Sequence, residues 1–347
     1  MTTLPASLAL SGSAPLPEQA GTGTPLPPVL GRLGRILKFV LLASLATIVA
    51  LYAGLHAYIA WMLAHPVVAP LSSNPLLAKN LPYTDIDFPS ADGRSTVHGW
   101  WIPAAEQSRQ SVVLSHGYGA NREEHWVPMY DLADLLHGLG YNVLMFDYGF
   151  ASSRHPLPAT GGILESQQLL GAIDYARSQG TGELIVWGFS MGAGTALQAA
   201  LHYAPIDAMI LDSTFLPNED TLAYNLDQSP LKLTPYPTLS LIKWFLPLMS
   251  GVRLEQVPSA QAQTTSFDFP VYLIHGANDR KAPVYLAENV AHAQSNPYSQ
   301  LWIVQGAIHE MIYRTHTQEY VDRITAFLGQ VHILNTAASP ESGPLAV

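Results

Sequence analysis

Short, nearly continuous apolar runs at residues 111–116, 141–148, 183–190, 208–213, 271–276 and 300–305 alternate with segments of helical period at 124–139, 163–178, 191–204, 284–294 and 317–329. Runs without polar alternation suit strands covered on both faces. Their interleaving with helices calls for right-handed crossovers, and so for a mostly parallel sheet flanked by helices. The pattern predicts one α/β domain over residues 80–333. Residues 97–103, aromatic and β-branched, follow the turn Ala91-Asp92-Gly93-Arg94 and are expected to form the second arm of a hairpin. Residues 215–269 break the rhythm: they carry several prolines, no strand signal and the apolar stretch 239–249. A connection that long is expected to be a helical lid or cap over the carboxyl edge of the sheet.

The amino-terminal end follows another logic. Residues 1–30 are rich in Pro, Gly, Ser, Thr and Ala with Glu18 as the single charge, a composition expected to stay disordered. Arg32, Arg35 and Lys38 then precede an apolar run at 39–63, roughly 37 Å long as a helix at about 1.5 Å per residue. That exceeds the bilayer's hydrocarbon core of about 30 Å, so a tilted transmembrane helix is expected over 36–63. A buried core helix of this length would need a polar face. A cleavable signal peptide is the nearer alternative, but its small-x-small site, Ser44-Leu45-Ala46, falls inside the run. With the cations ahead of the helix and the next Lys or Arg at Lys79, the positive-inside rule predicts a single-pass signal anchor, its N-terminus cytoplasmic and its catalytic domain across the membrane. Residues 334–347 read as a second disordered tail.

The net charge of −10 and the lack of a basic stripe argue against a nucleic-acid partner. The chain has no cysteine, which excludes thiol catalysis and disulfides while leaving the compartment open. The histidines show no metal-ligand spacing and no glycine run cradles a phosphate or dinucleotide, so neither metal nor cofactor is expected.

The chemistry is concentrated at Gly188-Phe189-Ser190-Met191-Gly192, a Gly-x-Ser-x-Gly pattern that directly follows an apolar strand. A small-residue helix with Ala193, Gly194 and Ala196 follows it. The pattern suits a sharp strand-to-helix turn that presents a strained serine, with glycines where strand and helix nearly touch. The helix N-terminus beneath it offers amides to a developing oxyanion. Upstream, a strand ends in His116-Gly117-Tyr118-Gly119. The expected oxyanion donors are the backbone N–H groups of Tyr118 and Met191. His116 is expected to shape the loop, and the Tyr118 hydroxyl could also reach a substrate.

A serine hydroxyl needs a base, and the base an orienting acid. Asp279 follows the strand-and-glycine sequence Ile274-His275-Gly276-Ala277-Asn278, and His309 follows the next strand through Gly306-Ala307-Ile308. Both therefore fall at carboxyl ends of successive strands, which nominates Ser190, His309 and Asp279 as a catalytic triad. Asp212, ending the strand before the lid, is the rival acid. Glu310 beside the histidine points elsewhere in an extended or helical backbone.

Residues 80–333 resemble the α/β-hydrolase superfamily, in particular its membrane-anchored serine hydrolases of the serine aminopeptidase-like and monoacylglycerol-lipase-like groups. The resemblance rests on Asp92-Gly93 with Gly99-Trp100, on His116-Gly117-Tyr118-Gly119 and on Phe146-Asp147-Tyr148. It continues through Gly188-Phe189-Ser190-Met191-Gly192, His275-Gly276 with Asp279, and His309. It implies an eight-stranded sheet and ester, thioester or amide hydrolysis through an acyl-enzyme. The chain departs at 149–154: relatives often carry Arg-Gly-x-Gly, where this sequence has Gly149-Phe150-Ala151-Ser152-Ser153-Arg154, in a loop expected to edge the pocket. The leading expectation is (thio)ester hydrolysis of a small-molecule or lipid-like acyl substrate. A peptidase or amidase is the enzymatic alternative, and a non-catalytic binding module on a hydrolase scaffold the alternative outside enzymes.

Overall fold

The computed structural model describes residues 28–202, 204–229 and 233–338. The chain divides into two units, Met1–Tyr52 and Ala53–Val347. The first contains, among its described residues, the body of helix α1 (Pro28–Ala64), which starts earlier than the expected 36 and includes the candidate membrane span Gly31–Ala64. Leu45 and Ile48 on it are exposed, as a helix meant for lipid requires. The expected tail at 1–30 lies, up to residue 27, outside the described residues.

The second unit is the α/β domain. After the short α2 (Pro75–Lys79) come β1 (Thr84–Pro89) and β2 (Thr96–Ile102), the predicted hairpin, then β3 (Gln110–Ser115), α3 (Met129–Gly138) and β4 (Asn142–Asp147). Next are α4 (Ile163–Ser178), β5 (Glu183–Phe189), α5 (Met191–Ala200) and β6 (Ala208–Asp212). The 215–269 insertion contains no strand among its described residues and folds as α6 (Glu219–Gln228), α7 (Pro235–Ser250) and α8 (Ser259–Thr264). β7 (Val271–Gly276), α9 (Tyr285–Ala293), β8 (Gln300–Val304), α10 (Ile312–Thr315) and α11 (Thr317–Ala338) complete it. α11 continues through 334–338, where a tail was expected; the rest of that tail lies outside the described residues.

The eight strands form one sheet in the order β1-β2-β4-β3-β5-β6-β7-β8. β1 and β2 are antiparallel to each other, β2 is antiparallel to β4, and the remaining pairs are parallel. The apolar runs are continuous because each face of the sheet has its own core. Val113, Val186, Leu211 and Leu273 pack with Leu169 of α4, Ala196 of α5 and Leu286 of α9. The alternate residues Val112, Ile185, Ile210 and Tyr272 pack with Leu132 of α3 and Phe327 of α11. All seven residues of β5 are buried, whereas the edge strand β1 is largely exposed and β8 only partly covered. This topology brings the carboxyl ends of β3, β5, β6, β7 and β8 to one rim.

Candidate active site

Ser190 sits between β5 and α5 with φ 50° and ψ −116°, a strained conformation held from three directions. Its N–H donates to the Asp212 carbonyl at 2.9 Å, and its own carbonyl accepts from Gly194 at 3.1 Å and Phe215 at 3.0 Å. The flanking glycines answer to space. A Cβ on Gly188 would stand 2.6 Å from Ala193, and one on Gly192 would stand 2.1 Å from the Ser115 carbonyl oxygen. No side chain fits at either contact.

His309 lies in the turn after β8, and Asp279 lies after β7. The Ser190 Oγ is 2.9 Å from His309 Nε2, and His309 Nδ1 is 2.6 Å from Asp279 Oδ2. Asp279 is buried, and its other carboxylate oxygen accepts the N–H groups of Lys281 and Ala282, each at 2.8 Å. Held on one side by the turn, the carboxylate fixes the imidazole tautomer that leaves Nε2 free to take a proton. Burial works to lower the His309 pKa. The Asp279 hydrogen bond and the nearby Glu310 and Asp279 charges outweigh it and leave it above the ordinary histidine value.

The rival acid is engaged elsewhere. Asp212 is buried and accepts from the Tyr320 hydroxyl at 2.7 Å and the Ser213 hydroxyl at 2.8 Å, and burial pushes its pKa up to about 7. His116 is buried and its pKa falls to about 4 for that reason. Its Nε2 accepts the Tyr148 N–H at 3.1 Å and its Nδ1 faces the Gly117 carbonyl at 2.9 Å, so it braces the loop.

Ser190, His309, Tyr118 and Met191 all line one cavity of about 290 Å³. Its walls are mostly apolar and come from Leu63 at the end of α1, Phe215 and Leu222 before and within α6, Leu246 of α7, and Val257. Among the described residues, the amides of Tyr118 and Met191 donate to no other protein group. The Tyr118 hydroxyl is committed: it donates to the carbonyls of Met62 and Leu63 at 2.9 and 3.1 Å, rather than reaching toward substrate as its side chain had suggested. The 149–154 turn does not line the cavity either. Phe150 packs beneath Tyr118 with ring centroids 6.1 Å apart, and Ala159, Thr160 and Gly161 form the wall on that side.

Two acidic residues join the site unannounced. Glu310 has φ 57°, a left-handed conformation that turns its side chain into the cavity wall instead of away from it, contrary to expectation. Its Oε2 accepts the Trp126 indole N–H at 2.6 Å and stands 3.7 Å from His309 Nε2. Glu124, also buried, accepts the Gly117 N–H at 3.3 Å. A Cβ on Gly117 would meet Glu310 Oε1 at 2.7 Å and Glu124 Oε1 at 2.9 Å, so the two carboxyl tips converge on this glycine. Burial and the neighbouring Glu310 carboxyl drive the Glu124 pKa well above the carboxylate range. Only the backbone at 310 could have announced this pair. Among the described residues no group of three or more His, Cys, Asp or Glu could hold a metal ion.

A family model described as alpha/beta hydrolase fold matches residues 110–236, from β3 to the start of α7. By this segment and by its eight-stranded sheet, the chain has the α/β-hydrolase fold. It is 25% identical over 252 residues to the uncharacterized protein YfhR of Escherichia coli K12, covering 70% of this chain and 79% of that protein. It is 29% identical over 122 residues to lysophosphatidylserine lipase ABHD12 of Macaca fascicularis, covering 33% of this chain and 29% of that one. Among solved structures, the Pyrococcus furiosus esterase Pf2001 superposes with a TM-score of 0.62 at 23% identity, over 77% of this chain and 98% of that chain.

Proposed function

We propose that this chain is a membrane-anchored serine hydrolase that cleaves carboxylic ester or thioester bonds of acyl, lipid-like substrates. The supporting observation is the hydrogen-bonded series Ser190–His309–Asp279 at the floor of a mostly apolar cavity. Ser190 Oγ attacks the acyl carbonyl carbon as its proton passes to His309 Nε2. The oxyanion takes hydrogen bonds from the Tyr118 and Met191 amides at the α5 N-terminus and the neighbouring loop. The tetrahedral adduct then expels the alcohol or thiol, which leaves with the proton from His309. A water molecule, deprotonated by the same imidazole, attacks the acyl-enzyme and releases the carboxylic acid and free Ser190. The names of the esterase and lipase among the similar proteins agree with an ester substrate.

α1 is the proposed anchor, with its N-terminus in the cytosol and the catalytic domain on the other side, as the Arg32, Arg35 and Lys38 flank implies. Turnover of p-nitrophenyl esters of rising acyl length, run beside aminoacyl anilides, tests the reaction. Ester turnover lost in Ser190→Ala supports it; turnover that survives this substitution contradicts it. One observation favours a second reading, an aminopeptidase: the Glu310 carboxyl on the cavity wall could meet a substrate ammonium group. Preferential cleavage of the anilides would select it.

A further inference from the structure

We propose that α7 is an interfacial helix whose outer face, with Trp244 and Leu248, lies at the membrane, and that the catalytic cavity takes its acyl substrate directly from that lipid phase. This rests on the anchor reading of α1 and extends it to the lid.

The outer face of α7 is wrong for water. Trp244 and Leu248 are 66% and 69% exposed, and their four-residue spacing sets them on one side of the helix. The Trp244 ring packs edge-on against Phe245 with centroids 4.7 Å apart. Lys243 is the only charged residue in the helix, and it is tied to Glu219 and Glu255. An exposed apolar helix face with no charge of its own marks an interaction surface.

The depth of α7 follows from its contact with α1. His56 is fully buried, and its Nε2 lies 3.3 Å from Thr238 Oγ1. About 20 residues cross the hydrocarbon core; counted from the cation Lys38, they end at Tyr58. Tyr58 and Trp61, residue types enriched at membrane interfaces, stand there with ring centroids 6.0 Å apart. His56, and Thr238 with it, therefore sits at the boundary between acyl chains and headgroups. α7 therefore begins at the level of His56, next to the membrane surface.

The same helix closes the cavity. Leu246 and Ser250 of α7 line it together with Leu63 of α1. The Tyr118 hydroxyl ties the oxyanion loop to the Met62 and Leu63 carbonyls, and the Ala159 N–H donates to Ala64 at 2.7 Å. The end of the anchor is thus a wall of the catalytic cavity, and an acyl chain leaving the bilayer beside α1 and α7 enters that cavity without crossing water.

Because the chain has no cysteine, Leu248→Cys in the full-length protein carries a unique nitroxide after reconstitution into phosphatidylcholine–phosphatidylglycerol vesicles. The expected signature is collision with oxygen in preference to a water-soluble nickel chelate; the reverse preference overturns the proposal. Ile48→Cys, labelled in the same way, reports on the anchor alone. If the nitroxide at 48 is lipid-protected while that at 248 meets nickel, α7 lies in water and only this proposal fails. If both meet nickel, the anchor reading falls and takes the proposal with it. Activity gives an independent arm. Trp244→Ser with Leu248→Ser should raise KM for a long-chain ester presented in vesicles by about fivefold or more, since partitioning scales with buried apolar area. Turnover of a short soluble ester should stay unchanged. An equal loss on both substrates would show that the face serves the fold, and would overturn the proposal.

Discussion

The division of labour between two aspartates follows from where each carboxylate finds hydrogen-bond donors. Asp279 spends one oxygen on the turn amides of Lys281 and Ala282 and the other on His309. Asp212 spends both on hydroxyls. Asp279→Asn should therefore lower kcat by roughly 10⁴-fold, the cost of losing the imidazole tautomer, while Asp212→Asn should leave kcat within a few-fold in steady-state kinetics. The opposite ranking would reassign the acid. Glu310 sets a second expectation. Its carboxyl, 3.7 Å from His309 Nε2, helps hold the histidine pKa above its ordinary value. In the proposed mechanism turnover needs the neutral imidazole and falls as pH drops through that pKa. Glu310→Gln should therefore move the acid limb of the kcat/KM profile to lower pH, and an unmoved limb would show that Glu310 is uncharged in the working enzyme.

Among the elements, the β5–α5 junction is the tightest. Gly192→Ala places a methyl against the Ser115 carbonyl oxygen at 2.1 Å, which only backbone displacement can relieve. Overpacking in well-packed cores costs about 1–3 kcal/mol, so a lowered Tm in calorimetry is expected together with loss of turnover; an unchanged Tm would mean the junction is looser than described. This junction was legible in the sequence because an apolar strand, two glycines and a small-residue helix coincide there. The strands of the buried sheet were legible too, since two-sided burial removes polar alternation. β1 was only implied by its turn, because an edge strand with burial on alternate residues carries half the apolar signal. The Glu310 side chain was misread because its direction depends on one left-handed φ, which no residue type at that position announces. The contribution of α1 to the cavity was hidden for a different reason: an apolar run for lipid and one for packing read alike, and His56 and Ala60 within it are buried.

At the scale of the whole molecule, folding stability is linked to the buried acids. Asp212, held at about 7 in the folded protein against an ordinary carboxyl value of 3.8, keeps its proton where the unfolded chain would release it. Its contribution is fully present below about pH 4 and is lost as pH rises toward 7. Asp212→Asn should flatten the fall in urea-unfolding stability across that window; an unaltered slope would mean that Asp212 is ionised in the folded state. His309 and Asp279 reach Ser190 through the sheet's topology, while Leu63, Tyr118 and Leu246 make the end of α1 and the lid parts of one cavity wall. Ser190, as the proposed nucleophile, carries all of it. Treating the full-length protein with a fluorophosphonate and mapping the adduct by peptide mass spectrometry tests that role most directly. The expected result is a single adduct on the peptide containing Ser190, absent in Ser190→Ala and strongly slowed in His309→Ala. A folded wild-type protein that takes no label, or takes it at another residue, would contradict it.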